Sequence, residues 1–459
     1  MKLIEENNMQ NNIETIEELE KRLSTMKAES TLIFSELDDK GKALATEANV
    51  KQLLLFYSIT VKYNEMSRDI EIVIPGFKSS GDLYRNVVIE KIMSIGVQNN
   101  LKISIDRLNG LIDMIAFNNE YHPARDWIDA QVWDGRSRLQ DLYDSVVLTR
   151  DNPMKETMLR KWALSAVAAL YQKQSGFQFS CEGVLTFSGR QGIGKTTWIE
   201  QLLPNVGRSI WNKGGVVLNM KDKDSLTTAL SAWICELGEL DATFKKSDIE
   251  ALKAFITQTT DSIRPPYARK SNDYARSTIF YATVNEQQFL QDSENRRFWI
   301  LEVDHFKNGH LDASQFWAEI KQIYLSVKDR CRSAAASEQS GEYGWFMTPA
   351  ERAKMRPLQD LHKVINPVEE MMSRTLEAND IVAAVSWDWH SVTEVLQRAG
   401  IPVPNKQQAN DAAKWFRKHG YQEDSRHRFK SKYMVQDSAG YVYTDVLKSK
   451  IINLNKNRD

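Results

Sequence analysis

The residues Gly189-Arg190-Gln191-Gly192-Ile193-Gly194-Lys195-Thr196 fit the pattern G-x-x-x-x-G-K-[ST], and those types at that spacing suit one task, the holding of a phosphate chain. Glycines let backbone N–H groups turn inward around the phosphates, Lys195 can reach the β and γ positions, and the Thr196 hydroxyl can bind Mg²⁺. The motif stands between the apolar run Val184 to Phe187 and a helical segment through Leu202 and Leu203. That strand-then-helix setting separates a phosphate loop from a chance glycine-rich turn. ATP and Mg²⁺ are therefore the expected cofactors. Gly189, Gln191, Gly192, Ile193, Gly194, Lys195, Thr196 and Thr197 are the residues expected to hold nucleotide.

Hydrolysis of a triphosphate also needs an acid on the metal and a polarised water, at the end of a neighbouring strand. Ser231 to Glu239 supplies apolar residues leading into Glu236 and Glu239. These two could divide the labour, one on magnesium and one on water. The segment lacks the usual Asp-Glu pair, so surface glutamates at a strand end are the alternative. Another run, Thr278 to Val284, ends in Asn285, whose amide could orient the attacking water or cap the next helix. Between those runs, Asp261 to Lys270 contains Pro265-Pro266, which makes it a turn or hairpin tip, and Arg264, Arg269 and Lys270 make it basic. Such a loop contacts a phosphate backbone or is simply solvated. Arg296 and Arg297 stand ahead of the run Phe298 to Val303. Arginine suits the charge on a transferring phosphoryl group, supplied from a neighbouring subunit, and a surface or interface ion pair is the plainer reading.

These side chains need a framework. Short apolar runs, Val184 to Phe187, Ala232 to Leu237, Thr278 to Val284 and Phe298 to Val303, alternate with helical segments, which predicts an α/β core with a largely parallel sheet over residues 176–331. Residues 1–45 hold Ile13, Ile16, Leu19, Leu23 and Met26 at helical spacing, an amphipathic helix. Residues 46–175 read as a mainly helical domain. It contains the stretch His122-Pro123-Ala124-Arg125-Asp126-Trp127 through Trp133-Asp134-Gly135-Arg136, to which composition alone assigns no chemistry. Residues 332–347 are small and polar and read as a linker.

Residues 348–459 form a further module. Thr348-Pro349-Ala350-Glu351 and Asn366-Pro367-Val368-Glu369 stand in helix-start order. Ser391-Val392-Thr393-Glu394 is a capping box, and Asn405 and Gln408 cap a helix whose Ala409, Ala412, Ala413 and Phe416 form an apolar stripe. Arg426, Arg428, Lys430 and Lys432 then alternate in an expected strand, and a period of two would put all four on one face. This predicts a winged-helix-like module that touches DNA, against the alternative of a solvated cap or a protein-docking domain.

Composition bounds the rest. The 459 residues carry 60 basic against 61 acidic side chains and a formal net charge of -1. Bulk attraction to nucleic acid or membrane is thereby excluded, and such contacts must come from local clusters. Cys181, Cys235 and Cys331 lie too far apart for a zinc-ligand spacing. No apolar run is long enough for a membrane span or placed as a secretory signal. A cytoplasmic protein without membrane contact is expected.

Taken in order, Gly189 to Thr196, WICELGEL, LKAFIT at Leu252 to Thr257, DSIRPPYAR, FYATVNE and NRRFW resemble the motifs of the virulence-associated protein E family, proteins of phages, plasmids and genomic islands related to superfamily III helicases of the AAA+ class. HPARDW to WDGRSRL resembles the stretch preceding the phosphate loop in that family, so the likeness spans roughly residues 45 to 305. It implies a homo-oligomeric, hexameric AAA+ ATPase gripping single-stranded DNA in a central channel. Lys195 and Thr196 would hold nucleotide, Glu236 and Glu239 would fill the second acidic motif, and Asn285 would act as sensor. Arg264, Arg269 and Lys270 would lie on the channel hairpin, with Arg296 as arginine finger and Arg297 in reserve. Superfamily III helicases tend to place adjacent acids where this chain has Glu236-Leu237-Gly238-Glu239, which leaves the division between those two open. Many relatives carry a primase; this chain has neither a zinc ribbon nor paired aspartates at a strand end, so a separate primase or initiator would be the partner. The expected function is an ATP-driven DNA helicase or translocase in mobile-element replication, with origin duplex DNA as a further partner. The alternatives are a nucleotide-switched DNA-binding initiator without unwinding, and a small-molecule kinase that would explain neither the basic hairpin nor the C-terminal module.

Overall fold

Two compact units make up the chain, residues 1–286 with 296–358, and residues 287–295 with 359–459. The computed structural model describes residues 31–77, 84–176, 179–216, 218–219, 222–238, 246–263, 272–285, 296–307, 311–329, 344–362, 366–380, 387–432, 435–436 and 442–443. The expected helix through Ile13 to Met26, Glu239, the loop bearing Arg264, Arg269 and Lys270, and the linker as far as residue 343 lie outside the described residues.

The first unit opens with α1 (Glu47–Phe56), β1 (Thr60–Asn64), β2 (Asp69–Val73), α2 (Tyr84–Gln98), α3 (Ile105–Phe117) and β3 (Glu120–Tyr121). Thr46 and Ser104 cap α1 and α3 by accepting N–H groups of Asn49 and Arg107. This region is not helical throughout: β1 pairs antiparallel with β2 and parallel with β3. Val61 and Ile72 on those strands join Leu53, Ile92, Leu108 and Ile112 of the helices in one core. Five-residue strands give a period of two too short to stand out between long helical patterns.

The chain continues through α4 (Pro123–Asp129), α5 (Leu139–Ser145), β4 (Val146–Leu148), α6 (Lys155–Leu170), α7 (Gln172–Ser175), β5 (Val184–Ser188), α8 (Lys195–Gln201), β6 (Asn212–Val216), α9 (Lys223–Ala229), β7 (Ile234–Leu237), α10 (Lys246–Ile256), β8 (Thr260–Ile263), β9 (Asn272–Ala275), β10 (Ile279–Val284), β11 (Phe298–Phe306), α11 (Ala313–Val327) and α12 (Pro349–Asp360). Six strands form one sheet in the order β4-β11-β5-β10-β7-β6. Neighbours are parallel except β4, which is antiparallel to β11. The fold is mixed α/β with a largely parallel sheet.

Every residue of β5 is buried, as a central parallel strand covered on both faces requires. Helix α6 covers one of those faces and is buried almost throughout. The indole N–H groups of Trp162 and Trp233 donate to Phe280 O and Ala166 O, both at 3.0 Å, and that of Trp317 to Leu202 O at 2.6 Å. Each large ring is thus buried with its one polar atom satisfied, and truncating any of them to alanine costs about 3–5 kcal/mol. A Cβ on Gly183 would lie 2.0 Å from the Trp299 ring, so the turn into β5 needs a glycine.

β8 and β9 form a separate antiparallel hairpin. Its root is fixed by Arg276, fully buried, whose Nε donates to Asp261 Oδ1 at 3.0 Å and whose Nη1 donates to Phe255 O at 2.6 Å. Arg68, from the turn between β1 and β2, reaches the same carboxylate at 3.6 Å.

The second unit contains α13 (Pro367–Asp380), β12 (Trp387–His390), α14 (Val392–Arg398), α15 (Lys406–Lys418) and β13 (Phe429–Lys432). The capping boxes of Ser391 with Glu394 and Asn405 with Gln408 both form. Val368, Met372, Leu396, Trp415, Phe416 and Phe429 build its core. β12 pairs antiparallel with β13, from Trp387 opposite Lys432 to His390 opposite Phe429. The expected strand carrying four cations starts later than the alternation suggests. Asp424 Oδ1 accepts the N–H groups of Arg426 and Arg428 at 2.9 and 2.8 Å, and His427 takes a φ of 59°. Arg426 and Arg428 therefore belong to a turn, and only Lys430 and Lys432 occupy the strand. An aspartate that satisfies the backbone two and four residues on outweighs the side-chain alternation.

Candidate functional site

The carboxyl ends of β5, β10 and β7 lie side by side, and the loops that leave them carry most of the expected polar residues. From Ser188 the chain turns through Gly189 to Gly194 and enters α8 at Lys195. Gly192 and Gly194 adopt φ values of 83° and 90°, a region that side chains with a Cβ rarely enter. A Cβ placed on either would meet nothing within 4 Å, so it is the backbone conformation and not crowding that favours glycine at both. Gly194, as N-cap, offers no side chain to the first turn of α8, which leaves backbone N–H groups for a ligand. A glycine-rich turn into an uncapped helix start fits a phosphate group.

Lys195 Nζ donates to Gly189 O at 2.7 Å, Arg190 O at 3.0 Å and Asn285 Oδ1 at 2.9 Å. The ammonium thus spans the loop and the end of β10. Thr196 Oγ1 lies 3.3 and 3.5 Å from the two carboxylate oxygens of Glu236 on β7. A hydroxyl and a carboxylate meeting beside a phosphate loop are suitable oxygen ligands for Mg²⁺.

Glu236 is 5 % exposed and is held from several sides. Thr283 Oγ1 donates to Oε1 at 2.6 Å, Gly215 N–H to Oε2 at 3.0 Å and the Tyr281 hydroxyl to Oε2 at 3.4 Å. Burial, then the adjacent Glu236 charge, pushes the Tyr281 phenol far above its ordinary range, so it remains a donor. Gly214 lies beside this carboxylate, and a Cβ on it would stand at ordinary contact distance, 3.4 Å, from Glu236 Oε2.

The structure thus brings Lys195, Thr196, Glu236 and Asn285 together. Gln191 and Thr197 are exposed, and Ile193 is half-buried with its Cδ1 under Gly189. Arg296 is exposed in the turn before β11, while Arg297 is half-buried and its carbonyl accepts from Val184 N–H at 2.7 Å. Sequence reasoning missed Thr283, Tyr281 and the Gly214-Gly215 pair. A signal for the first two exists: Tyr281, Thr283 and Asn285 fall at alternate positions and so share one face of β10. β6 gave none, because Asn-Lys-Gly-Gly-Val lacks the β-branched and aromatic enrichment of a strand.

The virulence-associated protein E-like domain matches residues 128–364, just over half of the chain. No curated protein matches. Among solved structures, the apo structure of the NrS-1 C terminal region (305-718) is 11% identical, with a TM-score of 0.41 over 83% of this chain and 98% of that one. The A form apo structure of the same region is 13% identical, with a TM-score of 0.37 over 80% of this chain and 85% of that one. Among the described residues no helix is long and apolar enough to cross a membrane.

Proposed function

The chain belongs to the virulence-associated protein E-like family, and from that membership we propose that it is an ATP-dependent, ring-forming DNA helicase or translocase of the AAA+ class, acting on single-stranded DNA in the replication of a phage, plasmid or genomic island. The observation that carries the reading is the convergence of Lys195, Thr196, Glu236 and Asn285 at the ends of three adjacent parallel strands. A nucleotide switch needs only the loop. A hydrolytic site needs in addition an acid on the metal and a polar group beside the γ phosphate, and β10, inserted between β5 and β7, supplies that group next to Lys195.

In this reading Lys195 leaves the carbonyls of Gly189 and Arg190 for the β and γ phosphates. Thr196 and Glu236 would hold Mg²⁺, which when bound would supply charge to offset that of the phosphates, and Asn285 would orient the attacking water. Glu239 takes the role of polarising that water. Arg296, exposed, reaches the nucleotide of the next subunit in a hexamer, with Arg297 in reserve. Arg264, Arg269 and Lys270 extend from the hairpin of β8 and β9 to single-stranded DNA. The second unit, three helices with the β12–β13 pair, acts as a winged-helix-like module that recruits duplex or origin DNA through Lys430 and Lys432, with Arg426 and Arg428 from the preceding turn. A separate primase or initiator completes the replication machinery, in the cytoplasm. The test is Lys195→Ala in the full chain: nucleotide hydrolysis should disappear while the melting curve is retained. Undiminished hydrolysis would place the site elsewhere.

A further inference from the structure

Arg68 stands in the turn between β1 and β2, and two of its features work against stability. Its φ is 59°, a left-handed conformation that glycine and asparagine take more readily than arginine. Its side chain is buried, and Nε has no hydrogen-bond partner. Burial, the foremost cause, lowers its pKa, so a charge at this place costs free energy. A residue held in a strained backbone, with a buried charge short of a partner, points to a task other than holding the fold. Asn64 makes the turn, its Oδ1 accepting the N–H groups of Met66 and Ser67 at 2.9 and 3.2 Å, while Arg68 N–H donates to Asn64 O at 2.8 Å. The guanidinium makes its contacts far along the chain.

Nη1 donates to Leu230 O at 2.8 Å, Nη2 lies 3.6 Å from Asp261 Oδ2, and the group stands 5.2 Å from the centre of the Tyr274 ring. Asp261 and Tyr274 face each other across the β8–β9 ladder, so one side chain touches both strands of the hairpin. Leu230 lies just before β7, and its carbonyl also accepts from Thr278 Oγ1 at 3.3 Å, just before β10. Those two strands run on to Glu236 and Asn285. A planar guanidinium, with donors pointing to two sides and a face for a ring, suits such a bridge. We infer that Arg68 is a positioning residue for DNA-stimulated hydrolysis, its guanidinium tying the β8–β9 hairpin to the entries of the strands that carry Glu236 and Asn285. This rests on the reading of that hairpin as the element that meets DNA. Arg276 fixes the hairpin root separately, through Phe255 O at 2.6 Å. Without Arg68 the hairpin therefore keeps its fold and loses its tie to the entry of β7.

Arg68→Met fills similar space and leaves Asp261 paired with Arg276, so no carboxylate is left alone. Arg68→Lys keeps the charge without the planar fork. Both are measured in the full chain, by hydrogen exchange of peptides covering β8 and β9 against those covering β5, and by phosphate release with and without a thymidine oligonucleotide. In both variants exchange in β8 and β9 should rise about tenfold with β5 unchanged. Basal release should stay within about twofold, and the oligonucleotide concentration for half-maximal stimulation should rise about tenfold. Exchange unchanged in both variants, or raised equally in β5, would overturn the positioning role. Unmodified behaviour of Arg68→Lys would overturn it too, reducing Arg68 to a counter-charge for Asp261. So would full stimulation in Arg68→Met when Arg269→Ala with Lys270→Ala abolishes it. If that double substitution leaves stimulation intact while exchange rises in β8 and β9 alone, the tie of Arg68 to the hairpin stands and the reading of the hairpin as the DNA contact falls.

Discussion

Replacing Thr283 by valine preserves the shape of the side chain and deletes the hydroxyl that donates to Glu236 Oε1 at 2.6 Å. This is the shortest hydrogen bond to that carboxylate. The others, from Gly215 N–H at 3.0 Å, Thr196 Oγ1 at 3.3 Å and the Tyr281 hydroxyl at 3.4 Å, remain but leave Oε1 held only by the long contact to Thr196. Glu236 is almost fully buried, so the lost donor is not simply replaced by bulk solvent. Hydrogen bonds to charged groups contribute about 1.5–3 kcal/mol, which corresponds to a loss of about 10- to 100-fold in turnover if the whole effect falls on the transition state. The Thr283 hydroxyl donates to Glu236 and not to a residue of the phosphate loop, so KM for ATP should change little. Thr283→Ser restores the donor and should restore turnover. The assay is steady-state phosphate release at saturating ATP and Mg²⁺, with thermal melting as a control for folding. Turnover of the valine variant within about twofold of the unmodified chain would refute a positioning role, and so would an equal loss in the serine variant.

Three other outcomes are expected. Asp261→Asn leaves the buried guanidinium of Arg276 without its counter-charge and should destabilise the chain by about 3–5 kcal/mol in urea titrations; a change below about 1 kcal/mol would mean that the pair does not anchor the hairpin root. Arg296→Ala should lose hydrolysis yet regain part of it when mixed with Lys195→Ala subunits, and no rescue at any mixing ratio would deny Arg296 a role in trans. His122 is held neutral down to a pKa of about 3, whereas the unfolded chain protonates it near 6.5; the unfolded state binds the extra proton between those values, so its contribution is fully present above about pH 6.5 and is lost on acidification by about 1.4 kcal/mol per pH unit. Denaturation at stepped pH should therefore show a shallower acid loss in His122→Asn, and identical slopes would contradict that burial effect.

What was legible in the sequence follows from the range of the interactions involved. The phosphate loop is local, eight residues fixing their own backbone, and β5, β7, β10 and β11 coincide with predominantly apolar runs because both faces of the sheet are covered. Asn285 was legible as the polar residue that ends such a run. Of the donors around Glu236, Thr283 was marked only by sharing a face of β10 with Asn285 and Gly215 was not marked at all, and they reach the carboxylate from 47 and 21 residues away. β6 was hidden by its glycines, and β4 by being three residues long. The turn at Asp424 was misread because alternating Arg and Lys resemble a strand, while the carboxylate that breaks it stands just upstream. HPARDW yielded no chemistry as a string. Glu65, Lys173 and Tyr274, which line one cavity with its His122 and Arg125, are brought beside it only in the folded chain.

The central claim is that this fold couples ATP hydrolysis to movement on DNA. Phosphate release by the full chain with and without single-stranded DNA, measured alongside strand displacement on forked duplexes of either polarity, tests it most directly. The account predicts hydrolysis stimulated by single-stranded DNA, and displacement of one fork polarity that disappears in Lys195→Ala. Nucleotide binding without stimulated hydrolysis and without displacement of either fork would contradict it and leave a nucleotide-switched DNA-binding protein in its place.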